Sequence, residues 1–298
     1  MPELPEVESL RRSLEPYILG QVIQSVVVHK PKLVSANGTI RSEDKGKVAE
    51  FKRELVGEQI ESIHRIAKNL LIYFKSGKLV VVHLKMTGQL VYQEGNENKA
   101  LGGHPIQISE QQLPNKHSHI IFTLSKGTLY YNDVRMFGYV LYYPDFITLQ
   151  AVHAFDSLGM EPLSEDFDQD IFKKELKRRK RVLKSALLSQ DIVVGLGNIY
   201  VDEACFRAGI QPHRITNTLS DIEGDALYDS IKYIIPRAVE QGGSSVANYV
   251  MADGSRGTYA REHTVYGRGG KPCLTCQTLL QTSKIQSRTT VSCPKCQS

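Results

Sequence analysis

Asn69-Leu70-Leu71-Ile72-Tyr73-Phe74-Lys75-Ser76-Gly77-Lys78-Leu79-Val80-Val81-Val82-His83-Leu84-Lys85 decides how the first half of the chain is read. Two β-prone runs, Asn69–Lys75 and Lys78–Lys85, flank Ser76-Gly77, a tight hairpin signal. Working outward, the same pattern recurs on both sides. Upstream, Gln21–His29 carries Val22, Val26, Val27 and Val28, and Glu58–Ile66 places Ile60, Ile63 and Ile66 at intervals. Downstream come Gly88–Gln93, His117–Leu124, Thr128–Tyr131 and Tyr139–Tyr142, with Lys126-Gly127 as another turn. Many short strands at close spacing predict a β-sandwich. Two polar segments, Pro31–Lys47 and Glu94–Asn115, read as loops or insertions.

The N-terminus reads differently. Met1-Pro2-Glu3-Leu4-Pro5-Glu6-Val7-Glu8 packs two prolines and three glutamates together. Pro5 suits the first residue of a helix, with Glu6 and Glu8 in its first turn. Val7, Leu10 and Leu14 then form one apolar face, and Pro16 is expected to stop the helix. If Met1 is removed, Pro2 carries a terminal secondary amine. Terminal amines titrate near pH ~7.7–8.0, so a useful fraction is unprotonated and nucleophilic at neutrality. Glu3 beside it is a candidate proton carrier.

Near residue 150 the periodicity becomes helical. Asp166–Gln190 spaces Phe172, Leu176, Leu183 and Leu187 as a helix face. Asn198 could cap a helix over Ile199–Ala208 that ends at Gly209. Ser220 and Glu223 form a capping-box pattern for a helix running toward Gln241-Gly242-Gly243, bent at Pro236. Ser244–Glu262 reads as a loose segment. Within the helical region, Lys173-Lys174-Glu175-Leu176-Lys177-Arg178-Arg179-Lys180-Arg181 is either a solvated face or a source of non-specific attraction to phosphate.

The cysteines close the chain. Cys273-x2-Cys276, sixteen residues, then Cys293-x2-Cys296 is the spacing of a four-thiolate tetrahedral zinc site. Four protein ligands leave no open position, so one structural Zn2+ is expected, not a catalytic one. Cys205 stands apart and reads as a small buried apolar residue. This clustering argues against a disulfide framework. A chain of 298 residues with 41% apolar content can bury a sizeable core without disulfides. The net charge of +5 is compatible with nucleic acid. No apolar run approaches a membrane span and no secretory signal is read, so a cytoplasmic protein is expected. The expected architecture is α+β and multidomain: an N-terminal β-sandwich with an N-terminal helix over 1–150, a helical domain over 151–262 and a metal-binding hairpin over 263–298.

Several stretches in this order resemble the formamidopyrimidine-DNA glycosylase family. Pro-Glu-Leu-Pro-Glu-Val-Glu at positions 2–8 looks like its N-terminus, and His83-Leu84-Lys85-Met86-Thr87-Gly88 like its His-Leu-x-Met-Ser/Thr-Gly stretch. Asn132-Asp133-Val134-Arg135-Met136-Phe137-Gly138 resembles its Asp-x-Arg-x-Phe-Gly loop. Val194-Gly195-Leu196-Gly197-Asn198-Ile199-Tyr200 resembles the core of its helix-two-turn-helix. Val265-Tyr266-Gly267-Arg268 followed by Pro272-Cys273 is similar to the start of its zinc finger. The opening differs from the Pro-Glu-Gly-Pro-Glu of the endonuclease VIII branch, which favours the oxidised-purine branch.

The resemblance implies a bifunctional DNA glycosylase and abasic-site lyase. It acts on duplex DNA containing an oxidised purine or an abasic site, as a monomer in the bacterial cytoplasm near the nucleoid. Pro2 would attack C1′ of the damaged nucleotide, with Glu3 moving protons and Lys68 favouring negative charge; the iminium then permits elimination of the 3′ and 5′ phosphates. Met86, Arg135 and Phe137 match the residues that fill the hole left by a flipped nucleotide. Lys68, His83, Asn198 and Arg288 match phosphate contacts, and Tyr266 belongs with the DNA-binding residues. Glu6 would be structural. Three positions depart from the family: Met136 where a second basic residue is common, Tyr259 where Phe is common, and Gln277 where Gly usually follows the second cysteine. The last is expected to strain the knuckle. The alternatives are a damage-binding protein without catalysis and an endonuclease VIII-like enzyme for oxidised pyrimidines.

Overall fold

The hairpin around Ser76-Gly77 forms, and both of its strands are buried on two faces. The computed structural model describes residues 1–37, 40–103, 112–152, 155–244 and 257–298. In chain order the first part comprises α1 (Leu4–Ile18), β1 (Ile23–Val28), the short β2 (Ala36–Asn37) and β3 (Ile40–Arg41), α2 (Lys45–Leu55), β4 (Ile60–Ile66), β5 (Asn69–Phe74) and β6 (Leu79–His83). It continues with β7 (Gly88–Glu94), β8 (Glu97–Gly103), β9 (Ser118–Leu124), β10 (Thr128–Asp133), β11 (Tyr139–Tyr143) and α3 (Phe146–Ala151). Two antiparallel sheets result, ordered β1-β9-β10-β7-β8 and β11-β6-β5-β4.

The sandwich follows from side-chain alternation. Leu70, Ile72 and Phe74 of β5 and Val80 and Val82 of β6 join Leu90, Tyr92, Phe122, Leu129 and Tyr131 of the facing sheet in one core. Leu71, Leu79 and Val81 point the other way and pack with Leu149 of α3. Burial on both faces is why these strands read as continuous apolar runs. Each such side chain contributes about 1.5–3 kcal/mol.

The segments expected to be loops carry more structure. Asp44 caps α2 by accepting from the Gly46 and Lys47 amides, and Phe51 and Leu55 insert into the sandwich core. β8 pairs with β7 at the edge of its sheet. Residues 104–111 of the second insertion lie outside the described residues. α1 continues past Pro16 to Ile18, which is fully buried. A proline so close to the end removes few helical bonds, and the burial of Ile18 offsets that loss.

The chain divides into two compact units. One comprises Met1–Pro2, Glu6–Asp156 and Ser245–Gly257; the other comprises Glu3–Pro5, Ser157–Ser244 and Thr258–Ser298. The second unit contains α4 (Gln169–Lys177), α5 (Leu183–Leu188), α6 (Asn198–Arg207), α7 (Asp221–Glu240) and a hairpin of β12 (Gln281–Ile285) and β13 (Arg288–Ser292). The periodic run Asp166–Gln190 is thus two helices. The break has a tertiary cause: the Leu183 and Lys184 amides donate to the Arg214 and Pro212 carbonyls, and Thr216 donates to the Arg181 carbonyl. The capping box of Ser220 and Glu223 is complete at the start of α7, which runs through Pro236 as one helix. The basic run is mostly paired: Lys173 with Asp170 and Asp225, Lys177 with Asp221, Arg178 and Arg179 with Glu175, and Arg181 with Asp191.

Candidate functional site

Pro2 is buried, while Met1 is exposed. With Met1 attached, the Pro2 nitrogen is an amide and holds no free electron pair for attack. Glu8 ties α1 to the sheet of its unit, since Arg11, Arg12 and Arg65 all donate to its carboxylate at 3.0–3.2 Å. Burial alone would raise the Glu8 carboxyl, but these guanidinium groups outweigh it and hold it below the usual range. Lys68 belongs to the same unit, in the turn between β4 and β5. It is 7% exposed, not the solvated lysine that its residue type suggests. His83 ends β6. Its Nδ1 accepts from the Lys85 amide at 2.9 Å, so in the neutral ring Nε2 carries the proton and is a donor.

Met86 and Phe137 are each 45% exposed, so neither is a core residue. The Arg135 guanidinium lies 4.4 Å from the centre of the Phe137 ring. Its Nη1 donates to the Met86 sulfur at 3.1 Å. Three side chains from two separate loops therefore form one exposed cluster, an apolar surface with a planar cation in its middle. Met136, between Arg135 and Phe137, instead packs against the sandwich core, with φ 53°.

In the second unit, the Glu3 carboxylate occupies the N-terminus of α6. It accepts from the amides of Gly197 at 2.7 Å, Ile199 at 3.0 Å and Tyr200 at 3.4 Å. The Leu4 amide donates to the Gly195 carbonyl at 2.9 Å. A Cβ on Gly197 would sit 2.3 Å from the Glu3 carboxyl carbon, so glycine is required for this close approach. Asn198 was expected to cap α6 but does not. The cap position is Gly197, and Glu3 supplies the acceptor that a cap side chain normally would. Asn198 Nδ2 donates to the Thr289 carbonyl at 3.0 Å, next to Arg288 at the start of β13.

α6 also organises what surrounds Arg288 and Tyr266. Asp202 accepts from the Val291 amide at 3.1 Å and from Lys184 Nζ at 2.7 Å; Lys184 donates again to the Thr289 carbonyl at 3.0 Å. Both side chains of this pair are fully buried. Glu203 accepts from the Thr264, Val265 and Tyr266 amides at 2.8–3.0 Å. Asn198, Tyr266 and Arg288 are thus held by one helix. The role of Asp202 and Glu203 escaped sequence reading, as did that of Gln190. The Gln190 side chain accepts from the Gly195 amide and donates to the Leu196 carbonyl, closing the turn before α6.

The four cysteines converge. Their sulfurs all lie within 4.8 Å of one another. Cys273 and Cys296 are 3.9 Å apart, and Cys276 and Cys293 3.5 Å. Tetrahedral zinc with bonds of about 2.3 Å needs sulfurs about 3.8 Å apart, so the donor set fits that ion. The Cys276 thiol is pushed down to about 6, first by the Thr278 side chain and backbone amide. Cys296 is pushed up to about 12, first by Cys276 beside it. Like charges resist four adjacent thiolates, and a dication removes that conflict. Gln277 has φ 63°, the strain expected where glycine is usual. Tyr259 is buried in the helical core, 5.8 Å from Tyr200. Residues 245–256, within the segment expected to be loose, lie outside the described residues. Cys205 is fully buried among apolar side chains, as expected.

No helix among the described residues is long and apolar enough to cross a membrane. Comparison with known proteins gives a consistent result. The model of the formamidopyrimidine-DNA glycosylase N-terminal domain matches residues 1–140, and that of the H2TH domain of the same family matches residues 158–250. The formamidopyrimidine-DNA glycosylase of Streptococcus pneumoniae is 38% identical over 299 residues, covering 100% of this chain and 99% of the relative. That of Desulfitobacterium hafniense is 37% identical over 297 residues, covering 100% of both. Among solved structures, a Lactococcus lactis FPG mutant in complex with a Fapy-dG containing DNA superposes with a TM-score of 0.85, at 34% identity over 99% of each chain. MutM in complex with carbocyclic 8-oxo-G containing DNA gives 0.83, at the same identity and coverage.

Proposed function

The chain belongs to the formamidopyrimidine-DNA glycosylase family, and from that premise we propose that it excises oxidised purines through its N-terminal proline and then cuts the abasic strand. The observation that carries this reading is the exposed cluster of Met86, Arg135 and Phe137. A damaged base inside a duplex is out of reach of any side chain and must be turned out. The vacated space needs an apolar filler, and the orphaned partner base needs a donor. Met86 and Phe137 supply the first and Arg135 the second.

Once Met1 is removed, the Pro2 nitrogen forms a bond to C1′, the glycosidic bond breaks, and the base leaves with a proton. Opening of the sugar gives an iminium. Loss of a C2′ proton expels the 3′ phosphate, a second elimination expels the 5′ phosphate, and hydrolysis of the iminium frees Pro2. Glu3 adjoins Pro2 in the chain and is held at the N-terminus of α6, which suits a carboxylate that passes protons without wandering. Lys68 offsets negative charge on the departing groups. His83 through Nε2, Asn198, Tyr266 and Arg288 grip phosphates. One structural zinc on Cys273, Cys276, Cys293 and Cys296 holds the hairpin that carries Arg288. The protein acts as a monomer in the bacterial cytoplasm, at the nucleoid.

A panel of end-labelled duplexes tests this. 8-Oxoguanine, formamidopyrimidine and abasic strands should be cut to a one-nucleotide gap with phosphate at both ends. Cutting confined to oxidised pyrimidines would assign the chain an endonuclease VIII-like specificity. Tight binding to damaged DNA without any cutting would make it a damage-binding protein.

A further inference from the structure

Beneath the exposed cluster lies a buried network that none of the roles above uses. Asp133 ends β10 and is fully buried; Thr87, next to Met86, is 9% exposed. Thr87 Oγ donates to Asp133 Oδ1 at 2.5 Å and accepts from the Arg135 amide at 2.9 Å. Asp133 Oδ1 also accepts from the Arg135 amide at 3.2 Å, while Oδ2 accepts from the Gly138 amide at 2.7 Å. The Tyr131 hydroxyl approaches Oδ2 at 3.5 Å. On the backbone side, the Asp133 carbonyl bonds His119 Nε2 at 2.9 Å.

We propose that Thr87 and Asp133 are positioning residues for base extrusion, a buried clamp that holds Met86, Arg135 and Phe137 as one preformed wedge. One carboxylate grips the amides at both ends of Arg135–Gly138, and one hydroxyl ties it to the loop bearing Met86. The loop needs such a grip. Met136 takes a left-handed φ of 53°, a conformation that ordinary side chains leave when free to do so. No side chain fits at Gly138, where a Cβ would lie 1.8 Å from the Tyr131 hydroxyl. The wedge must enter the stack while the duplex opposes it. Side chains ordered in advance spare the entropy of ordering them at that moment. The clamp touches no DNA and should matter most where the duplex still has to be opened. This inference rests on the glycosylase reading above.

Thr87→Val removes the hydroxyl at nearly constant shape, and Thr87→Ser keeps it. Two measurements are made on the zinc-loaded full chain. In the free protein, amide exchange at Arg135 and Gly138 should quicken in Thr87→Val and return to the parent rate in Thr87→Ser. In single turnover, Thr87→Val should lower 8-oxoguanine excision from a fully paired duplex about tenfold or more, equivalent to at least ~1.4 kcal/mol of barrier. Incision of an abasic site placed in an unpaired bulge should fall by less than about threefold, and Thr87→Ser should restore both. Unchanged exchange and kinetics in Thr87→Val, or equal losses on both substrates, would overturn the clamp. A parent protein that cuts neither substrate, with the exchange difference present, would overturn the glycosylase reading and with it the role in extrusion, while the hold of Thr87 and Asp133 on the loop would stand.

Discussion

Gln277 holds a left-handed φ of 63° inside the first cysteine knuckle, where glycine would carry no penalty. A side chain in that region costs about 1–2 kcal/mol. Gln277→Gly should therefore raise the stability of the zinc-loaded protein by about 1 kcal/mol, seen as a higher denaturant midpoint with metal content unchanged. A lower midpoint would mean that the glutamine side chain holds something glycine cannot. At the same scale, Phe137→Ala should slow lesion excision from paired DNA while leaving the cysteine site loaded. Equal slowing on bulged abasic DNA would point to a packing defect instead. The sequence named these residues only through their flanking motifs. Methionine and phenylalanine are ordinarily core residues, and only their exposure beside Arg135 sets them apart. Lys68 shows the converse, a lysine whose burial nothing in its residue type announces.

Elements were legible where apolar residues run unbroken between turn signals and opaque where tertiary bonds decide. The strands around Ser76-Gly77 were readable because apolar side chains fill both faces. α2 was not, because Phe51 and Leu55 are its only buried apolar anchors in a charged segment. The split between α4 and α5 was invisible because the bonds that break the helix come from residues 212–216. The cap of α6 was misassigned because its acceptor, Glu3, is nearly two hundred positions away in sequence. α1 offers a pH test. Glu8 is held below its ordinary value by Arg11, Arg12 and Arg65. Its contribution is therefore complete above the unfolded value of about 4.3 and is lost as pH falls through the lower folded value. Glu8→Gln should cost about 2 kcal/mol at pH 7, and the gap to the parent should close on acidification. A gap that does not narrow as pH falls below the unfolded value would show that the ion pairs are not its source. The hairpin offers a metal test. Cys276→Ser, or stripping zinc with a chelator, should abolish duplex binding while the β-sandwich stays folded by circular dichroism. Full DNA binding by a zinc-free protein would contradict this.

For the whole molecule, the net charge of +5 understates how local the useful charge is. The run from Lys173 to Arg181 read as either a solvated face or a source of attraction to phosphate, and most of its charges are matched by acidic side chains within the same unit. Arg178→Ala should leave affinity for undamaged duplex and its salt slope nearly unchanged. Arg288→Ala should weaken binding and reduce the slope by about one counterion. Equal effects would return the basic run to the interface.

The central claim is that Pro2, freed of Met1, is the nucleophile. Borohydride added during turnover on 8-oxoguanine or abasic DNA should reduce the iminium and link protein to strand, with the adduct mapped to Pro2 by mass spectrometry. Retaining Met1 or acetylating the terminus should abolish trapping while damaged DNA still binds. A cross-link that persists with the terminus blocked, or that maps to a lysine such as Lys68, would contradict the account.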